Sequence, residues 1–191
     1  MLNMRDVYLM LEWSCHGLVW LGLIFLYFAG LALRRSLCVI TLNQSFGLYY
    51  DATVQPVNCL NWRVVALFMA LLFDLILVGL TKVVFKRKRP AGDNPDDMRY
   101  TVSVDSYSFP SGHSTRAAML HWLLPYLFFG SEEARSRAFI QIGIWALAVC
   151  TSRFAMSRHH LTDVLLGYLI GMGEFFILIH LNWGSLAPFV G

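Results

Sequence analysis

Charge is scarce in this chain. Of 191 residues only 14% are charged, against 57% hydrophobic and 15% aromatic, whereas soluble domains carry roughly 25% charged residues. That deficit excludes a water-soluble globule, so an integral membrane protein is expected. Cysteine is sparse as well. Cys15, Cys38, Cys59 and Cys150 show no CxxC spacing, which excludes a zinc or dithiol redox motif. There is no internal repeat and no low-complexity tract, so repeat and linker architectures are excluded too. The net charge of +3 is small, and where the cations stand matters more than their sum. No nucleic-acid partner is expected.

What the chain has in abundance is apolar stretches. Residues 1–15 are mixed, with Arg5, Asp6 and Glu12 interrupting Val7 to Leu11, the pattern of an interfacial helix. Residues 17–33 are apolar throughout and end at Arg34-Arg35, about the length a span requires. A signal peptide is the competing reading, but no small-x-small cleavage site precedes the arginines. Residues 36–61 hold Asn43, Gln44, Asp51, Gln55, Asn58 and Asn61 and read as a loop with a short re-entrant or interfacial piece. Further spans are expected over 64–80, 117–130, 139–151 and 164–183. The fold expected is therefore all-α: one membrane-embedded domain over 1–191, with about five spans plus the N-terminal interfacial helix.

Several residues inside those spans are out of place in lipid. Asp74 costs roughly 2.5–3.5 kcal/mol to insert, so it must face protein or water. A functional acid and a helix-to-helix hydrogen bond both fit. His121 reads as a packed polar residue, Glu174 and His180 as structural or pathway-lining. Gly167-x-x-x-Gly171, with Gly173 beside it, offers a smooth face for close helix packing.

Three polar clusters carry chemistry. The first is Lys82 with Arg89-Pro90, after the second span. The second is Pro110-Ser111-Gly112-His113, where Ser111 or a neighbour should cap the following helix. The N–H groups at such a helix start bind anions, and Gly112 permits close backbone approach. The third is Ser152-Arg153, followed by His159 and Asp163. His159 and Asp163 are four apart, so on a helix they share a face. A carboxylate on one ring nitrogen would leave the other free as nucleophile or base. Alternatively, His and Asp merely cap the next helix. Asp93-Asn94-Pro95-Asp96-Asp97 could be read as a magnesium site, but Gly92 and Pro95 argue for a turn.

Parity joins the clusters. The 82–116 stretch follows span two, and 152–163 joins spans four and five, so in an antiparallel bundle both lie on one side. Three cations, a helix N-terminus and two histidines then share one obvious ligand, a phosphoryl group.

In order and spacing, these clusters resemble the three signature motifs of the type 2 phosphatidic acid phosphatase superfamily, which includes vanadium haloperoxidases. The match spans about residues 10–183, with the three-motif core over 62–183. Flanking residues Arg89-Pro90-Ala91 and 103–109 resemble the polyisoprenoid diphosphate branch, of which presqualene diphosphate phosphatase is the animal member. The chain departs from that branch in its short N-terminus and its 34–61 region. The resemblance implies a haloperoxidase-like helical core and a lipid phosphatase acting through phosphohistidine. His159 would be the nucleophile, Asp163 would hold its ring, and His113 would be the acid and base. Lys82, Arg89, Ser111, Gly112 and Arg153 would bind phosphate, with His160 a decoy beside the nucleophile. No metal or cofactor is implied. The substrate implied is an isoprenoid diphosphate or monophosphate; alternatives are phosphatidic acid and other glycerolipid phosphates, a haloperoxidase, or a non-catalytic scaffold of the same fold.

Sidedness is read from the cations. Ten Lys and Arg fall on the site side and five on the other, which puts the site in the cytosol by the positive-inside rule, although Arg34-Arg35 pull the other way. An endoplasmic reticulum and nuclear envelope location is implied by the resemblance. Cys38 and Cys59 would then share a lumenal loop where a disulfide is permitted, with Cys15 and Cys150 reduced.

Overall fold

A computed structural model describes residues 3–46, 61–92 and 106–181, without side chains for 34–46. Among these residues the fold is all-helical, with six helices: α1 Met4–Ser14, α2 Gly17–Phe46, α3 Trp62–Phe85, α4 Gly112–Phe128, α5 Glu132–Ala155 and α6 Leu161–His180. By length and composition α3, α5 and α6 can each cross a membrane. α1 and the apolar part of α2 form a bent pair, at 48°, that passes the same test together. α4, at 17 residues, is about 26 Å long, short of a full hydrocarbon core.

That short helix is the centre of the bundle. Eleven residues of α4 are buried, and it packs against α3, α5 and α6. Apolar residues therefore surround its whole circumference instead of forming one stripe. The core joins Leu67 and Leu71 of α3, Met119, Leu120 and Leu123 of α4, and Phe175 and Leu178 of α6, with Ile24 of α2. Outside, Ile76, Leu80, Ile144, Leu147, Leu165 and Leu169 are exposed. Such large apolar faces on a helical bundle suit lipid rather than water.

Two expectations about element bounds need correction. The helix after Gly17 does not stop at Arg34-Arg35 but runs on to Phe46, so 36–46 is helix and not loop. Arg, Ser, Leu and Gln all tolerate helix, and a helix can leave the bilayer without ending. The charged run Glu132–Arg137, left between the spans expected over 117–130 and 139–151, is the start of α5. Ser131 caps it, accepting from Ala134 N–H, and Glu133 pairs with Arg137 at 2.5 Å, a helical i,i+4 pair. The Asp93–Asp97 segment, the 103–105 stretch and Cys59 lie outside the described residues, as does the side chain of Cys38. Cys15 and Cys150 are free and buried.

The glycine stripe does what its spacing predicts, with one exception. A Cβ on Gly171 would lie 2.0 Å from the Thr115 carbonyl oxygen, and one on Gly167 would lie 3.1 Å from that of Ser111. α6 and α4 therefore touch backbone to backbone along two turns. Gly173 faces open space and takes no part. Asp74 of α3 resolves into the interhelical contact: it accepts from Arg116 Nη2 at 2.6 Å and Thr115 Oγ1 at 2.9 Å. His121 is packed as expected, its Nδ1 2.8 Å from the Tyr168 hydroxyl and its ring against Phe139. Glu174 is buried on α6, and neither carboxylate oxygen is hydrogen-bonded among the described residues.

Candidate functional site

The three polar clusters meet at one end of the bundle. α3 delivers Lys82 in its last turn, buried at 2% exposure. Lys86 then takes a left-handed conformation, φ 44°, and closes the helix with its N–H on the Lys82 carbonyl. The turn sends 87–92 back across the α5–α6 connection. Arg87 O accepts from Ser108 N–H at 2.8 Å, and Arg89 Nη1 donates to Arg158 O at 3.3 Å. Through this segment the loop before α4 is tied to the turn after α5.

Ser111 caps α4 as expected. Its Oγ accepts from Ser114 N–H and Ser114 Oγ, and its own N–H donates to Asp163 O at 3.2 Å. The start of α4 is thereby tied to the start of α6. Gly112 has a packing reason in addition to any ligand: a Cβ there would meet Val78 of α3 at 3.3 Å. His113 follows one position later. Its Nε2 is buried without a hydrogen-bond partner among the described residues, which in a native interior calls for an explanation such as a ligand.

At the other wall stand Arg153, 1% exposed, and His159, 4% exposed. His159 is not on a helix: α5 ends at Ala155 and α6 begins at Leu161. The expected His159–Asp163 pairing is therefore corrected. His159 Nδ1 lies 2.7 Å from the Ser108 carbonyl oxygen, the distance of a ring N–H donating to it. Asp163 binds the same serine from the other end, accepting from Ser108 Oγ at 2.5 Å. It also accepts from Arg87 Nη1 at 2.6 Å and from His160 N–H at 3.0 Å. Asp163 thus caps α6 and holds Ser108, and Ser108 holds His159. His159 and Asp163 share no helix face because they straddle the start of α6.

The tautomer this imposes leaves His159 Nε2 as the unprotonated nitrogen. Burial, with the nearby cations Arg89 and Lys82, pushes the imidazole pKa down to about 3, so the ring is neutral throughout the physiological range. His160, the adjacent alternative, presents Nε2 to the Lys88 carbonyl at 3.4 Å instead.

Three site neighbours had not been singled out from the sequence. Ser108 and Arg87 carry no local signature, although both flank the motifs. Glu12, from α1, pairs with Arg153 Nη1 at 3.2 Å and with Arg158 Nη2 at 3.3 Å. The interfacial helix therefore reaches the cluster, a contact between residues 141 positions apart.

Comparison with known proteins bears on this arrangement. The model of the PAP2 superfamily matches residues 63–186, a stretch that contains all three polar clusters. The chain belongs to the PAP2 superfamily. Among its relatives is the probable lipid phosphate phosphatase beta of Arabidopsis thaliana, 35% identical over 136 residues, covering 58% of this chain and 61% of that one. Phosphatidylglycerophosphatase B of Bacillus subtilis is 34% identical over 119 residues, covering 59% and 55%. A Schizosaccharomyces pombe palmitoyl-protein thioesterase–dolichyl pyrophosphate phosphatase fusion is 33% identical over 102 residues, 49% of this chain and 15% of that one. The chain thus spans little more than half the length of the first two. In fold it is similar to the crystal structure of a transmembrane PAP2 type phosphatidylglycerolphosphate phosphatase from Bacillus subtilis. The TM-score is 0.63 at 22% identity, covering 92% of this chain and 75% of that one.

Proposed function

We propose that the protein is a metal-independent lipid phosphatase that works through a phosphohistidine. The observation that carries this reading is His159, buried, neutral and anchored through Nδ1, with Lys82, Arg89 and Arg153 around it. The Nε2 lone pair attacks phosphorus and forms an N–P bond as the P–O bond to the lipid breaks. His113 gives the departing oxygen a proton, then takes one from the water that attacks phosphorus and releases His159. The three cations, with the Gly112 N–H at the start of α4, neutralise the non-bridging oxygens. Ser111 Oγ serves first as the helix cap and can share its proton with an oxygen. Because this positive charge comes from side chains, no metal is needed.

Asp163 acts in this scheme through Ser108. Ser108→Ala removes a bond to a carboxylate, about 1.5–3 kcal/mol, and is expected to lower kcat at least about tenfold with KM little changed. Asp163→Asn on top of it should add less than it does alone, because both act on one ring. Additive losses would show that Asp163 works independently of Ser108.

The substrate we propose is an isoprenoid diphosphate or monophosphate, of presqualene, farnesyl or geranylgeranyl type. Flanking residues 89–91 and the kinship to a dolichyl pyrophosphate phosphatase fusion support it. Phosphatidic acid and related glycerolipid phosphates are the alternative, favoured by the names of the other relatives. The cationic bias of the site end supports a cytosolic orientation, and we propose an endoplasmic reticulum membrane. A panel of purified isoprenoid and glycerolipid phosphates, assayed with excess chelator, tests class and substrate together. Activity is expected to survive chelation, to be highest on the isoprenoids and to be inhibited by orthovanadate. Complete loss with EDTA and rescue by magnesium would instead make the Asp93–Asp97 loop a metal site.

A further inference from the structure

Glu12 sits oddly for a residue of an interfacial helix. The outward face of α1 is apolar, with Met4, Met10 and Trp13 more than half exposed, while Glu12 turns inward to two buried guanidiniums. Its Oε1 meets Arg153 Nη1 at 3.2 Å and its Oε2 meets Arg153 Nη2 at 3.3 Å. This is the end-on, two-oxygen fork with which arginine also grips a phosphoryl group. Oε2 reaches Arg158 Nη2 at 3.3 Å as well. The carboxylate therefore bridges two cations that are 1% and 2% exposed. One fork cannot hold a carboxylate and a phosphoryl group in the same way at once.

α1 itself is lightly held. None of its residues is buried, and an apolar groove of about 700 Å³ opens beside it at Leu9, Met10, Trp13 and Val19. Its firm attachment is at the corner with α2, where Ser14 Oγ accepts from Trp145 Nε1 and Cys15 Sγ donates to His113 O.

We propose that Glu12 is the resident counter-anion of the phosphate site. It neutralises Arg153 and Arg158 in the free protein and is displaced by the phosphoryl group, so it sets the affinity of the site for anions and couples occupancy to the seating of α1. The inference rests on the phosphatase reading for its substrate and for its kinetic readouts, but its hydrogen-exchange test does not. Losing the carboxylate leaves two buried cations with less compensation, which favours any incoming anion.

Orthovanadate is the probe. In the native protein its binding is expected to speed hydrogen exchange at the amides of 5–14; unchanged or slower exchange there overturns the proposal. In Glu12→Gln, inhibition by orthovanadate should tighten about tenfold, the scale of one competing charge-assisted contact. KM for a lipid phosphate should fall in parallel. Weaker inhibition with a higher KM would mean that Glu12 merely props Arg153 in position, and the proposal fails. The exchange measurement needs no variant, so it decides the matter even if Glu12→Gln does not fold. Native protein that binds orthovanadate yet hydrolyses no lipid phosphate would overturn the phosphatase reading while leaving the displacement of Glu12 to stand on the exchange result.

Discussion

His159→Ala is expected to lower turnover by at least about a thousandfold, the scale of deleting a nucleophile, and to leave no phosphoenzyme. The loss should be chemical and not structural, because among the described residues the ring makes a single hydrogen bond, to the Ser108 carbonyl. The variant should remain monodisperse in detergent. Rapid quench with a ³²P-labelled lipid phosphate is the measurement, with label trapped on native protein and absent from the variant. Label of native intensity on His159→Ala protein would move the nucleophile elsewhere. The pH profile carries a second signature. With a pKa of about 3, folding keeps His159 neutral below its ordinary value near 6.5. A depressed folded pKa means that stability is fully present above about pH 6.5 and declines toward pH 3. Acidification should therefore weaken the native protein slightly more than the alanine variant.

Gly171→Ala is expected to be the most damaging single methyl outside the site. The new Cβ would stand 2.0 Å from the Thr115 carbonyl oxygen and 3.0 Å from Ala118 Cβ. Neither is the end of a flexible side chain, so α6 and α4 must separate. Overpacking typically costs 1–3 kcal/mol, and with backbone as the obstacle a loss of about 3 kcal/mol is expected. The same separation pulls on Thr115, which holds Asp74, and on the α4 start two residues earlier that carries His113. Activity should fall with thermal stability. Gly173→Ala is the matched control, since nothing lies within 4 Å of its Cβ. It should be neutral or gain about 0.5–1 kcal/mol from helix propensity. Equal melting temperatures for the two variants would mean that α4 and α6 do not touch at Gly171.

What was legible in the sequence is what depends on local chemistry. The dearth of charge marked a membrane protein, glycine spacing marked the α6 face that meets α4, and Ser111 marked a helix start. Order and spacing of the polar clusters, with span parity, brought Lys82, Arg89, His113, Arg153 and His159 to one end without any coordinates. The extent of α2 was not legible, because arginine and glutamine are compatible with helix and with loop alike. Nor was the partner of His159, because whether residues four apart share a face depends on where the helix begins. Here it begins at Leu161, two residues after the histidine.

The sequence by itself therefore determined the solvent the protein lives in, its superfamily and the inventory of polar groups gathered at that end of the bundle, since each follows from residue identity and short-range spacing. Only the tertiary structure decided how those groups are wired. Ser108 stands between Asp163 and His159 because the loop before α4 is clamped to the start of α6 by the Ser111 N–H on Asp163 O and the Ser108 hydroxyl on the Asp163 carboxylate. Glu12 reaches Arg153 because α1 folds back over α5 at a bend. Contacts between residues 55 and 141 positions apart are set by the packing of whole helices, and no local pattern encodes them.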